Sequence, residues 1–147
     1  IAAGASKIYV HDKLDLNTNN IWKSDFIHIA ALEEISDCDL ISIHLPLTED
    51  TRNSIDDNFF SSLTKNPYLI NTSRGEIIKE DSLIKALQNG TLSGAAVDVY
   101  DEEPYKGRLL GIDNLITTPH IASSSRQVRD LMEKKSIENL INFYESI

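Results

Sequence analysis

The chain has 147 residues, with 23 acidic against 14 basic side chains, a formal net charge of −9 and 41% hydrophobic residues. That length suits one domain with a substantial core, and the acidic excess argues against nucleic acid or an anionic membrane surface as the main partner. No apolar run reaches transmembrane length, the start reads as no secretory leader, and the lone Cys38 cannot form an internal bridge, so the expectation is a cytoplasmic protein.

Short β-rich runs bounded by polar or turn residues fall at residues 7–11, 40–44, 68–71, 95–100 and 115–118, which predicts five strands. Between them the pattern turns helical at 30–36, 55–63 and 79–88, and a long terminal helix is expected over about 123–145. In the third helix Leu83, Ile84 and Leu87 share a face, and Asn89-Gly90 supplies a left-handed stop. Strands alternating with helices predict an α/β fold, a Rossmann-like parallel sheet with flanking helices. Along the terminal helix Val128, Leu131, Met132, Ile137, Leu140, Ile141 and Tyr144 recur every three or four residues. A core-facing stripe is the expectation there, and a docking surface is the alternative. Cys38, in Ser-Asp-Cys-Asp before a strand, is expected to be small and buried. His11 and His44 alternate with apolar neighbours, which predicts half-buried strand residues; with His28 they lack the spacing of a metal site, so no metal is implied.

Three polar segments begin where an apolar β-type run stops. They are Asn71-Thr72-Ser73-Arg74-Gly75, Asp98-Val99-Tyr100-Asp101-Glu102-Glu103-Pro104 and Thr118-Pro119-His120-Ile121-Ala122. In a parallel sheet an arginine, a glutamate and a histidine would then stand at one edge, where open α/β enzymes keep their chemistry. Pro104 and Pro119 restrict the residues before them and stiffen the supports of Glu103 and His120. Gly75 is expected to permit a tight turn beside Arg74. Asp12 ends the first strand, the place where a dinucleotide fold presents an acid to the adenosine ribose; an acid there would repel a 2′-phosphate and favour NAD over NADP.

In order and spacing the three segments resemble the cofactor-binding domain of the D-isomer-specific 2-hydroxyacid dehydrogenases, from about Ile1 to the end of the chain. The resemblance implies NAD as cofactor, a small 2-hydroxy or 2-keto acid as substrate, a homodimer, and Arg74, Glu103 and His120 as the catalytic residues. Of the neighbours Glu102 and Glu103 it selects the one directly before proline. It further implies His44, Leu45 and Pro46 beneath the adenine side, Thr72, Ser73 and Arg74 near the nicotinamide ribose, Asp98 on the carboxamide, and His120, Ala122 and Ser123 beside the nicotinamide. Within the family, Glu102-Glu103-Pro104-Tyr105-Lys106-Gly107 with Leu109-Leu110 and Asp113-Asn114 resembles the phosphoglycerate dehydrogenase-like members most. Glyoxylate, hydroxypyruvate and D-lactate stay open as substrates.

The chemistry suits these residue types. Oxidising a 2-hydroxy acid needs a base for the hydroxyl proton, a cation for the carboxylate and a hydride acceptor. An imidazole titrates near neutrality, a glutamate can orient it, and a guanidinium can grip a carboxylate with two prongs. The phosphate-binding glycine loop and the strand leading into it, which should precede Asp12 by about twenty residues, are not found. The chain is therefore expected to be a partial NAD-binding domain over 1–147 without a substrate domain, its sheet missing the strand that joins its halves. The alternative function is an NAD(H)-sensing corepressor-like binding protein on the same fold, which can retain all three residues.

Overall fold

The computed structural model describes residues 4–13 and 25–146. Their strands are β1 (Ile8–Val10), β2 (Ile27–Ile29), β3 (Leu40–Ile43), β4 (Tyr68–Asn71), β5 (Gly94–Val97) and β6 (Leu115–Thr117). Their helices are α1 (Leu32–Ile35), α2 (Asp57–Ser62), α3 (Glu80–Gln88) and α4 (Arg126–Glu145). All strand pairs are parallel, which requires crossovers and gives the expected α/β architecture.

Among the described residues the expected break in the sheet is present: β1 pairs with β2 in one sheet, β3 to β6 pair in sequence order in another, and no ladder joins the two. The strand that sequence reading missed is β2, only three residues long and mostly exposed, too short for alternation to register. Four of the other five strands and all four helices fall within the predicted stretches, β5 starts one residue before its predicted 95–100 and stops at Val97, and α1 shrinks to a single turn with no buried residue.

Local chemistry explains the helix ends. The Asp56 carboxylate accepts from the amides of Asn58 and Phe59 and starts α2, while Gly90, at φ +77°, provides the expected left-handed stop after α3. α2 and α3 cover one face of the larger sheet, where Ile41, Ile43, Leu69, Ala95 and Val97 pack with Phe60, Leu83, Ala86 and Leu87. On the opposite face Leu40, Tyr68 and Ile116 are exposed.

Three expectations need correction. The apolar stripe of α4 does not face the core: no residue of this helix is buried, and Leu131, Ile137 and Leu140 are each more than half exposed. The apolar residues also do not share one face, because the five-residue step from Met132 to Ile137 sets Val128, Leu131 and Met132 on the side opposite Ile137, Leu140, Ile141 and Tyr144. Cys38 is half-buried at the rim of the core, not enclosed, and burial followed by Asp37 and Asp39 pushes its thiol pKa up. His11 and His44 are exposed: each lies one residue beyond its strand, on the exposed phase of that strand's alternation. Among the described residues no helix is long and apolar enough to cross a membrane.

Candidate active site at the carboxyl edge of the sheet

Because β3 to β6 run parallel, the residues that follow them share one edge: His44, Leu45 and Pro46 after β3, Thr72, Ser73 and Arg74 after β4, Asp98 after β5, and Thr118 to His120 after β6. Asp12 takes the corresponding place after β1 in the smaller sheet and is exposed.

The turn after β4 is shaped by Asn71, which is 1% exposed. Its side-chain oxygen accepts from the amide and hydroxyl of Ser73 at 3.0 and 2.8 Å, and its amide nitrogen donates to the Arg74 carbonyl at 2.9 Å. An asparagine closing its own turn in this way leaves the Arg74 side chain pointing outward and exposed. The guanidinium donates to the Ser73 carbonyl at 2.6 Å, and among the described residues it makes no hydrogen bond to Glu103 or His120. Gly75 serves close approach, not a left-handed turn: a Cβ there would fall 2.1 Å from the Tyr100 carbonyl carbon.

Glu103 and His120 do meet. The imidazole Nδ1 lies 2.8 Å from Glu103 Oε2, while Glu103 Oε1 accepts from the Tyr100 amide at 3.2 Å. The hydrogen bond with His120, followed by that amide, holds the Glu103 carboxyl below its usual pKa against the opposing effect of burial. An ionised carboxylate only accepts, so Nδ1 carries the proton and Nε2 is left as the basic nitrogen. Neutral imidazole in this tautomer can take a proton through Nε2, with the Glu103 carboxylate holding the opposite nitrogen.

His120 itself has φ +54°, a left-handed backbone uncommon for a side chain with a Cβ. Asp98 holds the loop in that shape. Its carboxylate is 3% exposed and accepts from the Thr118 hydroxyl, from the Ile121 amide at 2.9 Å and from the Ala122 amide at 2.8 Å, so it grips the chain on both sides of His120. Burial pushes the Asp98 pKa up, but those three donors and the nearby imidazole outweigh it, and the net shift is downward.

The remaining residues named from the sequence line this edge with looser ties. His44 hydrogen-bonds through Nε2 to Ser42 at 2.9 Å, Leu45 packs on the core rim, and the Pro46 carbonyl accepts from the Thr51 hydroxyl at 2.7 Å. Thr72, Ala122 and Ser123 are exposed. Sequence reading assigned no role to Asn71, Tyr100 or Thr118, although each stands inside a quoted segment. A polar Asn at the end of an apolar run was the one signal that pointed to its turn.

The sequence model of the D-isomer specific 2-hydroxyacid dehydrogenase NAD-binding domain matches residues 1–122. The chain belongs to this family. A glyoxylate reductase of Thermofilum pendens is 39% identical over 119 residues, which cover 80% of this chain and 34% of that protein. An erythronate-4-phosphate dehydrogenase of Bacteroides thetaiotaomicron is 39% identical over 127 residues, covering 83% of this chain and 36% of the relative. Among solved structures, a D-lactate dehydrogenase from Aquifex aeolicus complexed with NAD and lactic acid superposes with a TM-score of 0.74 at 26% identity, over 95% of this chain and 46% of that one. The chain spans about a third of the length of the curated relatives it matches.

Proposed function

We propose that this chain is the catalytic edge of an NAD-dependent dehydrogenase that interconverts a 2-hydroxy acid and its 2-keto acid. The observation that carries the reading is the hydrogen bond of 2.8 Å from His120 Nδ1 to Glu103, which commits Nε2 to proton exchange. In oxidation His120 accepts the hydroxyl proton at Nε2, and in reduction it returns it. Glu103 fixes the tautomer and balances the imidazolium charge. Arg74, exposed on the same edge, binds the substrate carboxylate through two parallel N–H bonds and polarises the adjacent carbonyl.

The donor set suits a dinucleotide in one direction. Oδ1 of Asp98 accepts two hydrogen bonds and Oδ2 accepts one, so a carboxylate with about four acceptor positions keeps capacity on Oδ2 for an amide donor. Asp98, Thr72, Ser73, Ala122 and Ser123 are assigned to the nicotinamide half, His44, Leu45 and Pro46 to the adenine side, and Asp12 to the adenosine ribose. Bound nicotinamide would supply the hydride acceptor or donor. The substrate is a small 2-hydroxy acid, with 3-phosphoglycerate as one candidate beside glyoxylate and D-lactate. The working form is assigned as a cytoplasmic homodimer.

Kinetics on a full-length dehydrogenase containing this segment test the assignment. His120→Ala should lower kcat by about 10²–10⁴-fold, the usual worth of a general acid–base group, with NADH affinity unchanged. Arg74→Lys should raise the 2-keto acid KM and lower kcat together, because a point charge cannot reproduce a two-pronged contact. Wild-type kinetics in either variant would remove that residue from its role. No turnover of any 2-keto acid by the wild-type protein, together with NADH-dependent association, would favour the corepressor alternative.

A further inference from the structure

We propose that Tyr100 is a positioning residue that keeps the Arg74 turn, Glu103 and the His120 loop in one register, an inference that rests on the catalytic reading of those three. Tyr100 touches each of the three segments through a different part of itself. Its backbone carbonyl lies so near Gly75 that a Cβ there would fall 2.1 Å from the carbonyl carbon, so the Arg74 turn rests directly on it. Its amide donates to Glu103 Oε1 at 3.2 Å. Its phenol donates to the Thr118 carbonyl at 2.9 Å, two residues before His120.

The hub is itself held. The ring stacks on Tyr105 with centroids 4.3 Å apart and planes 17° off parallel. The Tyr105 hydroxyl in turn donates to Glu80 at 2.8 Å and accepts from the Leu109 amide at 3.0 Å. Tyr100 is 8% exposed, and burial, followed by the Asp98 charge, pushes its phenol pKa up, so it stays a neutral donor across the working range. Thr118 is fixed from two sides, its carbonyl by Tyr100 and its hydroxyl by Asp98. A buried aromatic that served packing alone would need only its ring. Here the hydroxyl and the amide are both directed at the segments that carry His120 and Glu103.

Tyr100→Phe keeps the ring, the stack and the amide and removes only the phenol's contacts, the close one to the Thr118 carbonyl and a longer one of 3.4 Å to the Val97 carbonyl. On a full-length dehydrogenase with selectively labelled histidine, the downfield Nδ1 proton of His120 should broaden and exchange faster, and kcat should fall roughly tenfold with the NADH KM unchanged, a loss in the range that small misplacement of a catalytic group produces. Tyr105→Leu, which frees the ring and leaves Tyr100 intact, should weaken the same resonance and is the second variant should Tyr100→Phe fold poorly. A wild-type resonance and wild-type kcat in folded Tyr100→Phe or, if that variant does not fold, in Tyr105→Leu would overturn the proposal. So would a loss of thermal stability in which the remaining folded enzyme keeps full specific activity. Failure of His120→Ala to reduce turnover would instead defeat the underlying catalytic reading, which separates the two.

Discussion

The sheet edge from Asn71 to Ala122 and the helix α4 that follows it are built on opposite principles. The edge is short of regular structure, yet its side chains and amides bond across long stretches of sequence: Asp98 to Ile121 and Ala122, Glu103 to His120, Tyr100 to Thr118. α4 is 20 residues of regular helix that, among the described residues, makes local bonds alone, including the Ser125 cap on the Val128 amide and a Lys135–Glu138 ion pair at 2.9 Å. Regularity and tertiary fixation are thus separable here. The geometry relevant to chemistry resides where the backbone is irregular and the contacts are non-local.

The difference can be broken most severely at Gly75. Gly75→Ala drives a Cβ into the Tyr100 and Asp101 backbone, where no flexible side-chain end can yield, so we expect a loss of about 3 kcal/mol, at the upper end for overpacking. Chemical denaturation of the wild-type and variant proteins measures it. A loss near zero would mean that the Arg74 turn does not rest on Tyr100.

Asp98→Asn should cost less, about 2 kcal/mol, since the amide offers one acceptor oxygen and sets its own N–H groups against a donor among Thr118, Ile121 and Ala122. The pH dependence carries a sign. Asp98 and Glu103 both titrate below their ordinary values in the folded chain. Their contribution is therefore complete above the ordinary carboxylate range and is lost as pH falls through the lowered folded values. The melting temperature should decline on acidification below about pH 4, and the decline should be shallower in Asp98→Asn. An identical acid profile in the two proteins would exclude Asp98 as a source of that stability.

The same contrast explains what could be read from the sequence. Strand and helix positions follow local periodicity, so residues 68–71 and 79–88 could be placed with little error, as could the stop at Gly90. Proline position and family resemblance singled out Glu103 over Glu102, and Glu103 is the one whose carboxylate reaches His120. Asp98 gripping both sides of His120, and Tyr100 bridging three segments, depend on which strands become neighbours. Nothing in their local sequence encodes that. The burial of α4 was misjudged for a different reason: apolar residues at nearly helical spacing do not make one face when a five-residue step, here from Met132 to Ile137, splits them between opposite sides of the helix.

α4 supplies the smallest expected effect and the sharpest use of the comparison. Ile137 is 60% exposed, so Ile137→Ser removes no described contact and exchanges an apolar side chain already in water for a polar one. If the face is bare in solution, the change in stability stays within about 0.5 kcal/mol, as for surface substitutions generally, and the thermal midpoint does not depend on protein concentration. We expect this for the 147-residue chain measured alone at low concentration. The assigned homodimer makes a different demand on the face that carries Ile137 if α4 contributes to it: the same substitution would then lower a concentration-dependent midpoint, because association stabilises by mass action. Melting Ile137→Ser and the wild type over a hundredfold range of concentration distinguishes a face that is merely solvated from one that another copy covers. Parallel, concentration-independent curves would remove α4 from the dimer contact.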